Sequence, residues 1–204
     1  MWQFPLADDY YNRIGTAFRA IDGGYVIFTA DSSSEAASGL LAAGRLCVTA
    51  KYKAAGIISG CEYRTQFRTV VFRSSMSAFA EVNTNYWFYG LVVITSFVGI
   101  SNLANVHEMQ YMFSSCQSVT DLDFRGFDPS HLTNFFYCFA GCNALATIYA
   151  DATWALPSSG LSGAQCFYNC PNLVGDNGTA WASSKTGYTY FRIDKSRSPG
   201  YLTA

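Results

Sequence analysis

The chain has 204 residues, of which 17% are aromatic and only 13% are charged, and its formal net charge is -1. This balance excludes the basic groove of a nucleic-acid-binding protein and the basic patch of a membrane-surface protein. No stretch reaches the about 18 consecutive apolar residues of a transmembrane helix, and the N-terminus lacks the features of a secretory signal. We therefore expect one compact unit with no nucleic-acid partner and no membrane insertion.

Residues 1–90 contain strand-like runs but no repeat. The runs 16–21 and 25–30 flank an Asp-Gly-Gly sequence that begins at Asp22, which predicts a β-hairpin. We interpret residues 1–90 as a β-rich N-terminal cap, because a solenoid needs its first coil covered. The further elements predicted in this region are a loop or weak helix at 31–44 and strands at 46–54 and 66–72.

Three stretches, residues 111–119, 137–145 and 165–173, repeat one pattern in which a Phe precedes a Cys by three positions. The phenylalanines Phe113, Phe139 and Phe167 are separated by 26 and 28 residues, and so are the cysteines Cys116, Cys142 and Cys170. Such a period is typical of leucine-rich repeats, in which each coil has a strand and a short helix or turn. The sequence therefore predicts an α/β solenoid of about three coils over residues 91–173, a spine of stacked Phe rings and an irregular cap over 174–204.

Two short strands are predicted at 119–124 and 145–150, which lie 26 residues apart. Alternation directs Leu122, Phe124, Ile148 and Ala150 inward and the intervening side chains outward. We expect the outward side chains to contact a ligand, with Tyr149 as the anchor because aromatic residues dominate binding hot spots. The alternative is a solvated strand face without a partner. The predicted contacts are Asp121, Asp123, Arg125, Thr147, Tyr149 and Asp151.

The spacing of Cys138 and Cys142, and of Cys166 and Cys170, is compatible with paired zinc ligands. However, Cys138 aligns with Met112 of the preceding coil, which indicates a column that accepts any medium-sized apolar residue. Free cysteine behaves as a small hydrophobic residue, and the total of seven would leave one thiol over if all others paired. We predict buried free thiols, with no metal and no cofactor; disulfides and a metal site remain the alternatives.

Catalytic patterns are missing from the sequence. His107 and His131 occupy different repeat registers, and neither belongs to a recognisable Cys/His or Ser/His/Asp arrangement. The Asn-Gly-Thr sequence that begins at Asn177 matches a glycosylation acceptor, but a tight turn is the simpler interpretation. We therefore expect a protein that is not an enzyme.

Residues 113–135 resemble the coil of the BspA-like leucine-rich repeat surface proteins. The match includes Phe113-Ser-Ser-Cys, Leu122-Asp-Phe and Phe127-Asp. Similarity extends over residues 14–203, with the pre-repeat segments 68–76 and 85–90 and the closing segments 172–179, 189–194 and 199–202. The resemblance implies non-enzymatic attachment, at the cell surface or after secretion, to a host extracellular or microbial surface protein or glycan. The alternative is a virion or tail-associated protein of a phage, which would use the same scaffold to bind a receptor.

Overall fold

The computed structural model describes residues 18–22, 25–29, 68–78 and 82–204. The helices in these ranges are three short 3₁₀ helices, Ser74–Ala78, Ile100–Asn102 and Tyr188–Tyr190, and none of them could cross a bilayer. The predicted elements at 31–44 and 46–54 lie outside the described residues. The strands are β1 (Phe18–Asp22), β2 (Tyr25–Thr29), β3 (Thr69–Phe72), β4 (Val82–Asn83), β5 (Ser96–Val98), β6 (Val106–Glu108), β7 (Asp121–Asp123), β8 (Thr147–Tyr149) and β9 (Leu202–Thr203).

The N-terminal hairpin joins the first of the two larger sheets that follow one another along the chain. β1 and β2 pair in antiparallel register from Phe18 opposite Thr29 to Asp22 opposite Tyr25, which confirms the predicted hairpin. β2 then pairs in parallel with β3, and β3 with β5, which gives the order β1-β2-β3-β5. Parallel pairing continues in a second sheet of order β7-β8-β9.

The strands of the two sheets occupy equivalent places in successive coils. Thr69 pairs with Ser96 across β3 and β5, and Asp121 pairs with Thr147 across β7 and β8. We call the outer side of these strands the strand face. In β3, β5, β7, β8 and β9, an inward residue is buried, as alternation requires. These buried residues are Val70, Phe97, Leu122, Ile148 and Leu202.

A second set of parallel pairs runs along another side of the coils. β4 pairs with β6, and single parallel bridges then join Glu108 to Asn134 and Asn134 to Ser162. The backbone N–H of Thr133 and its hydroxyl both donate to the carbonyl of His107, at 2.8 and 2.9 Å. Parallel pairing therefore joins neighbouring coils along this side as well as along the strand face, where the pairing is interrupted between β5 and β7.

The third side consists of turns in which the backbone N–H groups donate alternately to a carbonyl of the same coil and to a carbonyl of the next coil. In the coil around Phe113, the N–H groups of Met112 and Ser114 donate to carbonyls three residues earlier in the same coil, each at 3.2 Å. The N–H groups of Tyr111 and Phe113 donate instead to the next coil, at 3.0 and 2.9 Å. Since every second N–H group leaves the coil, no α-helix forms over residues 109–116.

This hydrogen-bond alternation requires left-handed backbone conformations. Tyr111 and Ser115 have φ values of 53° and 64°, which L-residues adopt at a cost of roughly 1–2 kcal/mol each. The same pattern occurs in residues 84–91, where Tyr86 and Gly90 have φ values of 60° and 74°. The sequence predicted that residues 1–90 form the N-terminal cap, but residues 84–90 have the hydrogen bonds of a coil.

The core is a column of phenylalanine rings with a column of thiols beside it. The rings of Phe113 and Phe139 stack at 5.6 Å between centroids, and those of Phe139 and Phe167 at 5.3 Å. This arrangement confirms the predicted Phe spine, which Phe88 extends by stacking on Phe113 at 5.9 Å. Because the rings lie almost parallel and are fully buried, they hold the coils in register.

The thiols beside the spine are free and buried, in agreement with the prediction. Cys142 Sγ donates to the carbonyl of Phe113 at 3.1 Å, and Cys170 Sγ donates to that of Phe139 at 3.0 Å. Each of these thiols therefore hydrogen-bonds to the coil before its own. The free buried cysteines among the described residues are Cys116, Cys138, Cys142, Cys166 and Cys170.

The C-terminal segment folds around one buried carboxylate. Asp194, 4% exposed, accepts hydrogen bonds from the N–H groups of Asn177, Thr179 and Gly200 and from the Thr179 hydroxyl. Gly178 has φ 86° and donates its N–H to the Gly175 carbonyl at 2.9 Å, which confirms the turn predicted after Asn177. Asp194 therefore ties this turn to the chain's last strand.

Candidate binding surfaces

The six predicted contact residues all lie along β7 and β8 or directly after them. Asp121 is opposite Thr147 at one end of the pair, and Asp123 is opposite Tyr149 at the other end. The two ends are separated by about 7 Å along the strands. The structure thus divides the predicted site, and the larger group comprises Asp123, Arg125, Tyr149 and Asp151.

Arg125 and Asp123 form a bidentate ion pair at the end of β7. Arg125 Nε donates to Asp123 Oδ1 at 2.9 Å, and Arg125 Nη2 donates to Oδ2 at 2.6 Å. The backbone N–H of Arg125 also donates to Oδ1, at 3.0 Å. Two hydrogen bonds therefore orient the guanidinium group and a third holds the carboxylate, although both side chains remain about half exposed, at 58% and 44%.

Tyr149 and Asp151 of the next coil complete this group. The guanidinium carbon of Arg125 lies over the Tyr149 ring, 5.1 Å from its centroid, at a distance where the cation is attracted to the ring face. Asp151 accepts a hydrogen bond of 2.6 Å from the N–H of Gly126, directly after Arg125. We call Asp123, Arg125, Tyr149 and Asp151 the charged cluster.

The ion pair shifts the pKa values of both its members. Hydrogen bonds from the Arg125 side chain lower the pKa of the Asp123 carboxyl, while its partial burial acts in the opposite direction. The hydrogen bonds to Asp123 raise the pKa of Arg125. Asp123 and Arg125 are therefore charged throughout the physiological pH range, and the ion pair presents a fixed pattern of charge to solvent.

Asp121 and Thr147 have a different environment. The Asp121 carboxylate accepts a hydrogen bond of 2.9 Å from the hydroxyl of Thr120, its neighbour in the chain. Asp121 is exposed and Thr147 is half-buried. They can extend a contact surface along the strands, but they contribute no hydrogen bond to the charged cluster.

A second surface feature, on the turn side, consists of half-buried tyrosine rings from three consecutive coils. Tyr86 and Tyr111 stack with centroids 4.8 Å apart and planes within 15°, and Tyr111 and Tyr137 stack at 5.1 Å and within 6°. These separations are close to the about 4.8 Å between neighbouring strands. Burial and the neighbouring tyrosines raise the pKa of Tyr111. We call Tyr86, Tyr111 and Tyr137 the tyrosine ladder.

Three further aromatic rings adjoin the ladder. Tyr89 lies nearly perpendicular to the Tyr111 ring at 5.9 Å, and Phe136 lies at 69° to the Tyr137 ring at 4.6 Å. Tyr168 lies 6.2 Å from Tyr137 with its plane tilted by 57°. Tyr89 and Tyr168 are 41% and 53% exposed, which makes them two of the most exposed large apolar side chains described.

The sequence contains the spacing of the ladder tyrosines, but it does not show that their rings stack. Tyr111 and Tyr137 begin two of the three repeated stretches, and Tyr86 precedes Tyr111 by 25 residues. The third stretch begins with Gln165, so the column could be taken for an ordinary variable position. The strand-face prediction considered outward side chains on strands only, whereas these rings project from turns.

The described cysteines and histidines are the groups whose chemistry could serve catalysis or metal binding. Burial raises the pKa of the Cys138, Cys142 and Cys166 thiols well above its ordinary value, which leaves them protonated and poor nucleophiles. The rings of His107 and His131 lie 5.5 Å apart, despite their different registers. In the part of the chain that the structure describes, no three His, Cys, Asp or Glu residues are grouped as metal ligands.

Comparisons with protein-family models, with curated proteins and with solved structures find no match for this chain.

Proposed function

We propose that this chain is a non-enzymatic binding module that recognises a surface macromolecule through the strand face. The observation that carries the proposal is the arrangement of Asp123, Arg125 and Tyr149. An exposed ion pair contributes little to folding stability. A bidentate pair stacked on an aromatic ring, by contrast, already has its side chains ordered, and this lowers the entropy lost when a partner binds.

The chemistry of the cluster suits a polar partner. Asp123 occupies two of the guanidinium N–H groups of Arg125, at Nε and Nη2, and a guanidinium has five in all. The remaining donors can reach carbonyl or hydroxyl oxygens of a protein or glycan. Tyr149 adds a half-buried aromatic surface of the kind that is enriched in binding hot spots. The resemblance to BspA-like surface proteins favours a host extracellular or microbial surface partner.

The test is binding of the purified chain to immobilised mucin, collagen and whole bacterial cells. The double variant Asp123→Ala/Tyr149→Ala removes both supports of Arg125, and we expect its affinity to fall by about 30-fold or more. Its fold should persist, since the residues removed are exposed or half-buried and outside the core. Circular dichroism of the variant checks this expectation.

A matched control changes two exposed residues elsewhere. Asp176→Ala/Lys195→Ala alters two charged side chains of the C-terminal segment and should bind like the wild type. If the Asp123→Ala/Tyr149→Ala variant keeps wild-type affinity for the partner identified, the strand face is not the binding surface. If none of the three probes is bound, the proposed class of partner is wrong.

A further inference from the structure

We propose that the tyrosine ladder and its neighbouring rings form a second binding site, which takes an uncharged oligosaccharide chain. This proposal does not rest on the strand face, because the ladder lies on the turn side of the coils and shares no residue with the charged cluster. Its basis is a strip of six aromatic side chains from four successive coils. They are Tyr86, Tyr89, Tyr111, Phe136, Tyr137 and Tyr168.

The rings of the strip are fixed before any ligand binds. Each stacked pair is held by coils that are themselves hydrogen-bonded, for example through the Tyr111 N–H to the Phe136 carbonyl at 3.0 Å. Tyrosine has few rotatable bonds, so an ordered Tyr surface loses little entropy on binding. Tyr86, Tyr111 and Tyr137 adopt left-handed backbone conformations, which are unfavourable for L-residues. These conformations place the three rings in one line.

Ring orientation determines which parts of the strip a ligand can reach. The inner faces of Tyr86, Tyr111 and Tyr137 are covered by one another, so these residues offer edges and hydroxyl groups to solvent. Tyr89 is close to perpendicular to the Tyr111 ring and Tyr168 is tilted from Tyr137, so neither is stacked face to face on the ladder, and the two side chains remain 41% and 53% exposed. The strip therefore offers aromatic surface at Tyr89 and Tyr168. It also offers a line of phenolic hydroxyls, which are spaced by the distance between coils.

Sugar chains match this combination. The C–H groups on one side of a pyranose ring carry a partial positive charge and are attracted to the negative face of an aromatic ring. Phenolic hydroxyls both donate and accept hydrogen bonds, as sugar hydroxyls do. Asn85 and Gln110 adjoin the ladder in the chain, and the Gln110 N–H donates to Asn85 Oδ1 at 2.7 Å. The Asn85 amide is engaged by Gln110 and Glu108, whereas the side-chain amide of Gln110 is a further type of group that binds sugar hydroxyls.

The charges on and beside the strip favour an uncharged oligosaccharide as the ligand. All six aromatic side chains are neutral, and the acidic residue Glu108 accepts a hydrogen bond from Asn85 beside Tyr86. An anionic polysaccharide or a nucleic acid needs Lys or Arg along its path, and none belongs to this strip. A quaternary ammonium ligand needs open ring faces arranged around it, whereas the faces within the ladder cover each other.

The test is affinity gel electrophoresis of the full chain with hydroxyethylcellulose, xylan or galactomannan in the gel. We expect at least one of these neutral polysaccharides to retard the wild type. Tyr89→Ala and Tyr168→Ala each remove a ring face, and each should weaken binding about three- to tenfold. Val98→Ala, an exposed apolar side chain on the strand face, should have no effect. Gels without polysaccharide report changes of shape or folding.

A conservative variant separates the hydroxyl groups from the stack. Tyr111→Phe keeps the ring, so the fold should be unchanged, and retardation should weaken by less than in Tyr168→Ala. Heparin and gelatin serve as the anionic and polypeptide probes. The proposal is overturned if no neutral polysaccharide retards the chain, if only heparin or gelatin does, or if Tyr89→Ala and Tyr168→Ala both bind like the wild type.

Discussion

The indole Nε1 of Trp181 donates a hydrogen bond of 2.7 Å to the backbone carbonyl of Phe167. In the preceding coils, the equivalent Phe carbonyl accepts a hydrogen bond from the thiol of Cys116, Cys142 or Cys170, at 3.4, 3.1 and 3.0 Å. Trp181 thus replaces the thiol that a further coil would supply. The same interaction continues into the C-terminal cap with a different type of residue, and the repeat ends without an exposed Phe carbonyl.

The first prediction concerns this hydrogen bond. Trp181→Phe retains most of the apolar contact but removes the N–H donor from the Phe167 carbonyl. We expect the free energy of unfolding to fall by about 1–3 kcal/mol, the cost of leaving a buried polar group unpaired, as measured by urea denaturation. Tyr168→Phe, at an exposed position, should change it by less than about 0.5 kcal/mol. Unchanged stability in Trp181→Phe would mean that water replaces the indole.

The second prediction concerns thiol reactivity. Burial raises the pKa of all five described thiols, and that of Cys170 rises to about 12. Because the thiolate is the nucleophile, iodoacetamide at pH 8 should leave these cysteines unmodified in the folded protein and label them in urea. Peptide mass spectrometry identifies each site. Rapid labelling of Cys142 under native conditions would contradict its burial. A chelator should not change the result.

Alkaline pH should destabilise the protein, which is the third prediction. The folded-state pKa of Cys170 is about 12, raised from an ordinary 9.0, and that of Tyr201 is about 12, raised from 10.0. Since burial favours the neutral forms, their stabilisation is complete below pH 9 and is lost as the pH rises from 9 towards 12. Urea denaturation at several pH values measures this. Constant stability up to pH 12 would refute it.

The fourth prediction concerns acid pH. Burial raises the pKa of Asp194, but the hydrogen bonds from Thr179, Gly200 and Asn177 together lower it below its ordinary 3.8. The stabilisation is therefore present above about pH 4 and is lost as the pH falls through the lowered pKa. Asp194→Asn should be less stable than the wild type by about 2–3 kcal/mol at pH 7. The difference should shrink at pH 2, as thermal denaturation would measure. Asp176→Asn is the exposed control.

The fifth prediction concerns backbone strain at Ser115. Its φ is 64°, and the equivalent positions of two other coils are occupied by Gly90 and Gly141, with φ values of 74° and 73°. Ser115→Gly should therefore stabilise the protein by about 0.5–1 kcal/mol, because glycine adopts this conformation without steric cost. The neighbouring Ser114 is buried and has no positive φ, so Ser114→Gly should be destabilising. Thermal denaturation of both variants is the measurement.

Much of the scaffold could be predicted because a repeat shows which positions share an environment. The alignment of Phe113, Phe139 and Phe167 predicted their stacking, and the alignment of Cys138 with Met112 predicted a buried thiol. Alternation along β7 and β8 predicted that Leu122 and Ile148 are buried. In each case the local sequence and its period are sufficient, since identical coils place identical positions above one another.

The candidate sites were less predictable. The six strand-face residues were chosen because they point outward, and this criterion does not show that Arg125 binds Asp123 and lies over Tyr149. Those contacts depend on the register between β7 and β8 and on the turn at Gly126. The tyrosine ladder was not predicted because its residues lie in turns. The direction of a side chain in these turns depends on left-handed φ values, which the spacing of Tyr residues in the sequence does not indicate.

By itself, the sequence determined the period and the columns of the core. Only the tertiary structure decided how the coils are joined. It determined which N–H groups donate to the next coil and that Tyr86 stacks on Tyr111. It also determined that Trp181 donates to a Phe carbonyl in the place that a thiol occupies in earlier coils. The physical reason is that a repeat encodes the environment of each position. Hydrogen bonds and ring contacts between coils depend instead on spacing and backbone direction, which exist only once neighbouring coils are in place.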